Sequence, residues 1–82
     1  MHTIMLDGNR YHSVSEVYHA IAVMLSLPDY FGNNADALND CLSERAHPAS
    51  LWILSSGRDE IARCIALIAR VFEENGGTVK EI

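Results

Sequence analysis

The sequence has few cysteines, and no hydrophobic run approaches the length of a transmembrane helix. Two cysteines, Cys41 and Cys64, are too few for a disulfide framework, and both fall within apolar helical patterns. We interpret them as buried free thiols in a cytoplasmic protein. The first residues carry no basic stretch ahead of an apolar segment, so we expect no signal peptide.

Basic residues are also scarce: the sequence has six Lys and Arg against eleven Asp and Glu, and its formal net charge is −5. Affinity for nucleic acid comes largely from Lys and Arg that neutralise phosphates, so the deficit argues against a nucleic-acid partner and favours a basic protein. The four histidines form no closely spaced pair with one another or with cysteine, which argues against zinc. We expect no cofactor, metal or small-molecule substrate.

The length of 82 residues, 49% of them hydrophobic, suits one small domain over residues 1–82. Residues 3–6 form a predicted strand that ends at the turn signal of residues 7–9, with a hairpin into residues 10–12 as the other possibility. The Ser13-x-x-Glu16 spacing is a capping box, and it predicts a helix whose apolar stripe ends near residue 27.

The second half of the chain repeats this order of a strand followed by a helix. Residues 51–54 are continuously apolar, which is typical of a strand buried on both faces. A helix over 58–75, with Leu67 on its predicted apolar face, precedes a short strand over 78–82. Strands separated by helices favour a three-stranded parallel sheet packed by about three helices, an α/β fold. The His47-Pro48 bond is a candidate for either cis or trans geometry.

A short predicted helix over 35–44, capped by Asn33 or Asn34, has one acidic face. Its apolar positions are Leu38, Cys41 and Leu42, and its opposite face carries Asp36, Asn39, Asp40, Ser43 and Glu44. Like charges spaced four residues apart destabilise a helix by about 0.2–0.5 kcal/mol per pair, so the acidic residues on this face repel one another and lower the stability of the helix. The pattern leaves open a binding surface or a merely solvated one.

Two aromatic residues, Tyr30 and Phe31, precede this helix in a loop bounded by Pro28 and Gly32. They either close the core beneath the loop or dock on another protein, since aromatic side chains supply much of the energy at interface hot spots.

Residues 27–42 carry a family resemblance through Leu-Pro, an acid, two aromatics, Gly-x-Asn-x-Asp-Ala-Leu and Asp-Cys-Leu in register. The segment resembles the barstar family, intracellular inhibitors of barnase-type ribonucleases. The first strand, turn and capped helix, the His47-Pro48 connection and residues 71–74 resemble it more weakly. The resemblance implies a barstar-like domain that blocks a ribonuclease active site with the helix over 35–44 and the loop over 28–34.

The family pattern also implies individual roles. Asp40 would place its carboxylate among the arginines of the enzyme, where the substrate phosphate sits, and Tyr30 would lie against the catalytic histidine. Asp36 would pair with a basic residue at the rim. The implied ribonuclease-binding set is Tyr30, Phe31, Asn34, Asp36, Asn39, Asp40, Ser43, Glu44 and Glu74, in which Ser43 replaces a family threonine and Glu74 reaches a peripheral arginine.

The sequence departs from the family where Asn39 and Arg45 replace tryptophans and Glu44 replaces a glycine. The segment between the second strand and the last helix is shorter, so we expect the small extra helix of the family to be absent there or merged with its neighbour. An antitoxin-like interaction module for a different basic toxin or enzyme stays open as an alternative. An enzyme that uses Asp36 and Asp40 as an acid/base or metal pair is disfavoured, because no third ligand or nucleophile accompanies them.

Overall fold

A computed structural model of the chain describes residues 2–28 and 32–82, so Tyr30 and Phe31 lie outside the described residues. The elements are strand β1 (His2–Asp7), a 3-10 turn (Gly8–Arg10), helices α1 (Val14–Leu25) and α2 (Ala35–Ser43), strand β2 (Ala49–Ser55), helix α3 (Asp59–Glu74) and strand β3 (Val79–Glu81). All three strands are parallel, in the order β1-β2-β3. The predicted three-stranded parallel sheet with three helices is confirmed.

The helices cover one face of the sheet. Ile4 and Leu6 of β1 and Leu51 and Ile53 of β2 are buried on this inner face, where alternate side chains of each strand point. The helices contribute to the same core the fully buried side chains of Val17, Ile21, Leu38, Ile65, Ile68 and Phe72. One continuous core therefore fixes α2 relative to the sheet.

The prediction that residues 51–54 are buried on both faces is wrong. Trp52 and Leu54 point to the outer face, where they are 37% and 44% exposed, and Met5 beside Trp52 is 46% exposed. The core residues of the three described helices pack with the inner-face residues of the strands, so this apolar strand is buried on one side only. Lys80 Nζ lies 5.4 Å from the centroid of the Trp52 ring, a cation–π contact.

Helix α1 begins at the predicted cap, where Ser13 and Glu16 both accept hydrogen bonds from backbone N–H groups. Ser13 Oγ accepts a hydrogen bond from Glu16 N, and the Glu16 carboxylate accepts one from His12 N. Gly8–Arg10 forms a 3-10 turn, and β1 pairs in parallel with β2, so the chain continues into α1 without the alternative hairpin. Gly8 packs directly against the backbone of Ser56 and Gly57.

Helix α3 differs from its prediction in two details. It spans Asp59–Glu74, with Arg58 and Asn75 as its flanking caps, and Leu67, predicted on the apolar face, is 46% exposed. Residues 56–58 join β2 to α3 without an extra helix, as expected. All described peptide bonds are trans, including that between His47 and Pro48.

Both cysteines are free. Cys64 is buried as predicted, whereas Cys41 is only half-buried, because its position on α2 borders a recess at the surface.

Candidate functional site

The loop before α2 is tied to the helix by one side chain. Asn34 Oδ1 accepts a hydrogen bond from Ala37 N at 2.8 Å, and Asn34 Nδ2 donates one to Gly32 O at 3.0 Å. Asn33 has a φ of 51°, a left-handed conformation that asparagine tolerates better than most residues. Asn34 therefore fixes how the chain enters α2, as the predicted cap requires.

Helix α2 separates an apolar side from a polar side. Leu38 and Leu42 are buried and α2 packs against α3. The solvent side carries the predicted residues Asp36, Asn39, Asp40 and Ser43, with Glu44 at the C-cap, and all five are exposed. The structure thus brings these side chains together on one surface, which we call the α2 face.

The carboxylates of the α2 face lack cationic partners within residues 2–28 and 32–82. Asp36 lies in the first turn, where the helix dipole favours an anion, whereas Asp40 and Glu44 lie beyond that turn. The Ser43 hydroxyl donates to Asp40 O at 2.9 Å. Arg45, the first base after the helix, donates from Nε to His47 O at 3.4 Å. The α2 face therefore presents negative charge that no described side chain neutralises.

A recess lies between this helix and the preceding loop. It has a volume of about 380 Å³ and is lined by Leu27, Pro28, Gly32, Ala37, Asp40, Cys41 and Glu44. Burial raises the pKa of the Cys41 thiol, and the neighbouring carboxylates of Glu44 and Asp40 raise it further. The thiol is therefore protonated at neutral pH, unlike the activated thiolate of a cysteine nucleophile.

The end of α3 lies beside α2. Asn75 Nδ2 donates hydrogen bonds of 2.8 Å to Asn39 Oδ1 on α2 and to Val71 O on α3. Glu74, the last residue of α3, is exposed and precedes Asn75 directly. The predicted site residue on α3 is thus next in sequence to a residue that touches the α2 face.

Sequence reasoning missed Asn75, which it treated only as the end of a helix. Its partner Asn39 is 36 residues away, so no local pattern could indicate the contact. Polar side chains at helix ends ordinarily bond to nearby backbone, and only the packing of α3 against α2 brings these two amides together.

The described residues offer no group of three or more His, Cys, Asp or Glu side chains that could hold a metal ion. Asp36 and Asp40 consequently gain no third ligand within this part of the chain. Among the helices described, none combines the length and apolar character needed to cross a membrane.

Comparison with known proteins yields a family match. The family model described as Barstar (barnase inhibitor) matches residues 1–76. A protein of Bacillus subtilis (strain 168), named putative ribonuclease inhibitor YrdF, is 37% identical over 43 residues. That alignment covers 52% of this chain and 47% of the relative, so it spans about half of each protein.

Proposed function

Because the chain belongs to the barstar family, we propose that it inhibits a barnase-type ribonuclease by forming a 1:1 complex that blocks the active site. The observation that carries the proposal is the α2 face, whose exposed carboxylates have no described cationic partner. Helix α2 (35–44 in the sequence prediction) and the loop over 28–34 form the binding surface.

Asp40 is the central residue of this surface. It lies in the middle of the acidic row, one helical turn from both Asp36 and Glu44, where the negative potential of the three carboxylates adds up. A ribonuclease active site concentrates basic side chains to bind the RNA phosphate. The Asp40 carboxylate takes the place of that phosphate, and the surrounding acids steer the encounter with the basic enzyme.

The other predicted residues surround Asp40. Tyr30 and Phe31 supply aromatic contacts from the loop, with Tyr30 against the catalytic histidine. Asp36 pairs with a basic residue at the rim, and Glu74 reaches a peripheral arginine. The Ser43 hydroxyl replaces the family threonine. Asn34 supports the surface by holding the loop and α2 together.

The departures at Asn39, Glu44 and Arg45 bear on which ribonuclease is bound. Two tryptophans of the family pattern are missing, and Glu44 and Arg45 add one carboxylate and one guanidinium, so the surface is more polar and offers less apolar contact. We propose that the mode of inhibition carries over while the cognate enzyme differs from barnase.

An antitoxin-like module for another basic toxin or enzyme is the second candidate. The observation that favours it is the same polar replacement of aromatic contacts at positions 39 and 45. In either case the two free thiols support action in the reducing cytoplasm.

The test is titration of the protein into barnase-type ribonucleases from the same organism, with RNA cleavage as the readout. We expect stoichiometric loss of cleavage and an association rate that falls as salt rises. Asp40→Asn should weaken inhibition at least about 30-fold, because it leaves buried arginines of the enzyme without a counter-charge.

Glu60→Gln is the matched control, since it removes the same charge from an exposed position at the opposite end of α3 from Glu74. It should slow association slightly and leave dissociation unchanged. Equal losses for the two variants would show that only net charge matters. Binding of a basic protein without ribonuclease activity would favour the second candidate.

A further inference from the structure

We infer that Asn75 is a positioning residue that turns the side-chain amide of Asn39 so that its NH2 group faces the partner. This inference rests on the proposed function and deepens it, because it assigns the chemistry of one contact on the α2 face. The group opposite Asn39 on the ribonuclease is then a hydrogen-bond acceptor: a backbone carbonyl, a side-chain amide oxygen or a carboxylate.

The orientation of both amides follows from one backbone carbonyl. Val71 O can only accept a hydrogen bond, so the Asn75 side-chain atom 2.8 Å from it is the NH2 nitrogen. The same nitrogen lies 2.8 Å from the side chain of Asn39, so the Asn39 atom that meets it is the carbonyl oxygen. The two protons of the Asn75 amide thus each have one acceptor, and the Asn39 NH2 group points elsewhere.

Asn75 is held more firmly than Asn39. Its backbone N–H donates to Val71 O and Phe72 O, both at 3.2 Å, within the turn that ends α3. The next residues keep this turn in place, since Gly77 N donates to Phe72 O at 2.9 Å. Asn75 is half-buried and Asn39 is exposed. The rigid end of α3 therefore orients a side chain on α2 that solvent would otherwise leave free to rotate.

The consequence is that Asn39 presents a hydrogen-bond donor beside carboxylates that can only accept. Asn39 directly precedes Asp40 and lies three residues after Asp36, two side chains that offer only acceptors when ionised. Cationic groups of the enzyme suit these carboxylates, but a cation opposite the Asn39 NH2 group would be left unpaired. The orientation of Asn39 therefore discriminates between ribonucleases by what they present beside their phosphate-binding arginines.

A double-mutant cycle with Asn39→Ala and Asn75→Ala tests the positioning role. Each single variant should weaken inhibition of the cognate barnase-type ribonuclease three- to tenfold, and the double variant should be no weaker than Asn39→Ala alone. Glu73→Ala, on the same exposed turn of α3, serves as the control. It should leave inhibition unchanged, both in the wild type and in the Asn39→Ala variant. Additive losses would overturn the inference, because Asn75 would then act independently of Asn39.

Asn39→Asp tests the donor directly. The variant keeps an oxygen for Asn75 but replaces the exposed NH2 group by a negatively charged oxygen. Electrostatic attraction to a basic enzyme alone would strengthen binding, whereas loss of the donor opposite an acceptor should weaken it at least tenfold. Tighter inhibition by Asn39→Asp would overturn the inference.

NMR of the free protein tests the positioning role of Asn75 without any partner. The side-chain NH2 group of Asn39 should show restricted motion in the wild type and in Glu73→Ala, and increased motion in Asn75→Ala. Equal mobility in all three proteins would overturn the positioning role. If the wild type inhibits no ribonuclease, the proposed function fails while this measurement still decides whether Asn75 restrains the side chain of Asn39.

Discussion

The hydroxyl of Tyr18 on α1 donates a hydrogen bond to the thiol of Cys64 on α3. Both side chains are buried, with exposures of 3% and 7%. Burial, followed by the nearby Cys64, raises the pKa of Tyr18 from 10.0 to about 12. The pair joins the first and last helices through the core and keeps the phenol neutral in the folded protein.

We expect this pair to make stability fall at alkaline pH. Tyr18 ionises near pH 10 in the unfolded chain and near 12 in the folded one, so unfolding releases a proton between these values. Its contribution is complete below pH 10 and is lost as the pH rises through 12. Tyr18→Phe should cost about 1 kcal/mol at pH 7, and the gap should narrow at higher pH. Urea denaturation from pH 7 to 11.5 measures both effects, and a constant gap would contradict the linkage.

Asn34 should contribute to stability through its cap on α2. Asn34→Ala removes the acceptor for Ala37 N and the donor to Gly32 O, so we expect a loss of about 1 kcal/mol in urea denaturation. Asn34→Asp keeps the capping oxygen and places a negative charge at the helix N-terminus, so it should retain most of the stability. Equal losses for the two variants would mean that the cap is not what Asn34 provides.

The acidic row of α2 should lower the stability of the free protein. Asp40 is one turn from both Asp36 and Glu44, so Asp40→Asn relieves two repulsions and should raise the free energy of unfolding by about 0.5 kcal/mol at low salt. Glu44→Gln relieves one repulsion and should give a smaller increase. Both gains should shrink in 1 M salt. A substitution that stabilises the fold yet weakens inhibition would identify Asp40 as a residue maintained for binding.

Gly8 should tolerate no side chain. A Cβ at this position would lie 2.5 Å from both Gly57 N and the carbonyl carbon of Ser56, where backbone meets backbone. We expect Gly8→Ala to lose about 2–3 kcal/mol, because the junctions after β1 and β2 must separate. Gly32→Ala is the control: the nearest contacts of its Cβ are side-chain atoms at 3.1 and 3.5 Å, and the loss should stay below about 1 kcal/mol. Similar losses would argue against close packing at Gly8.

Local periodicity was sufficient to predict α2 and its two sides. Leu38 and Leu42 recur at the helical spacing, and Asn34 stands at the cap, so the polar residues could only face solvent. The parallel pairing of the three strands followed from the alternation of strands and helices. The residues of the α2 face could therefore be predicted from the sequence, because helical spacing alone assigns each of them to the polar side of α2.

The errors arose where tertiary packing determines which side chains are buried. A continuous apolar run cannot reveal that helices cover only one side of β2, so Trp52 and Leu54 were placed in the core. Leu67 likewise belongs to an apolar pattern but lies beyond the contact of α3 with its neighbours, where it is exposed. The bond between Asn39 and Asn75 depends on the packing of two helices that are distant in sequence.

Because Trp52 lies on the outer face of the sheet, its fluorescence can report unfolding separately from complex formation. The chain has a single tryptophan, which lies beneath Lys80 on the side of the sheet that faces away from the helices. Its fluorescence should change when the sheet comes apart and stay constant when a ligand covers α2. Unfolding and complex formation can therefore be followed in one sample, the first by the emission of Trp52 and the second by a dye on the partner.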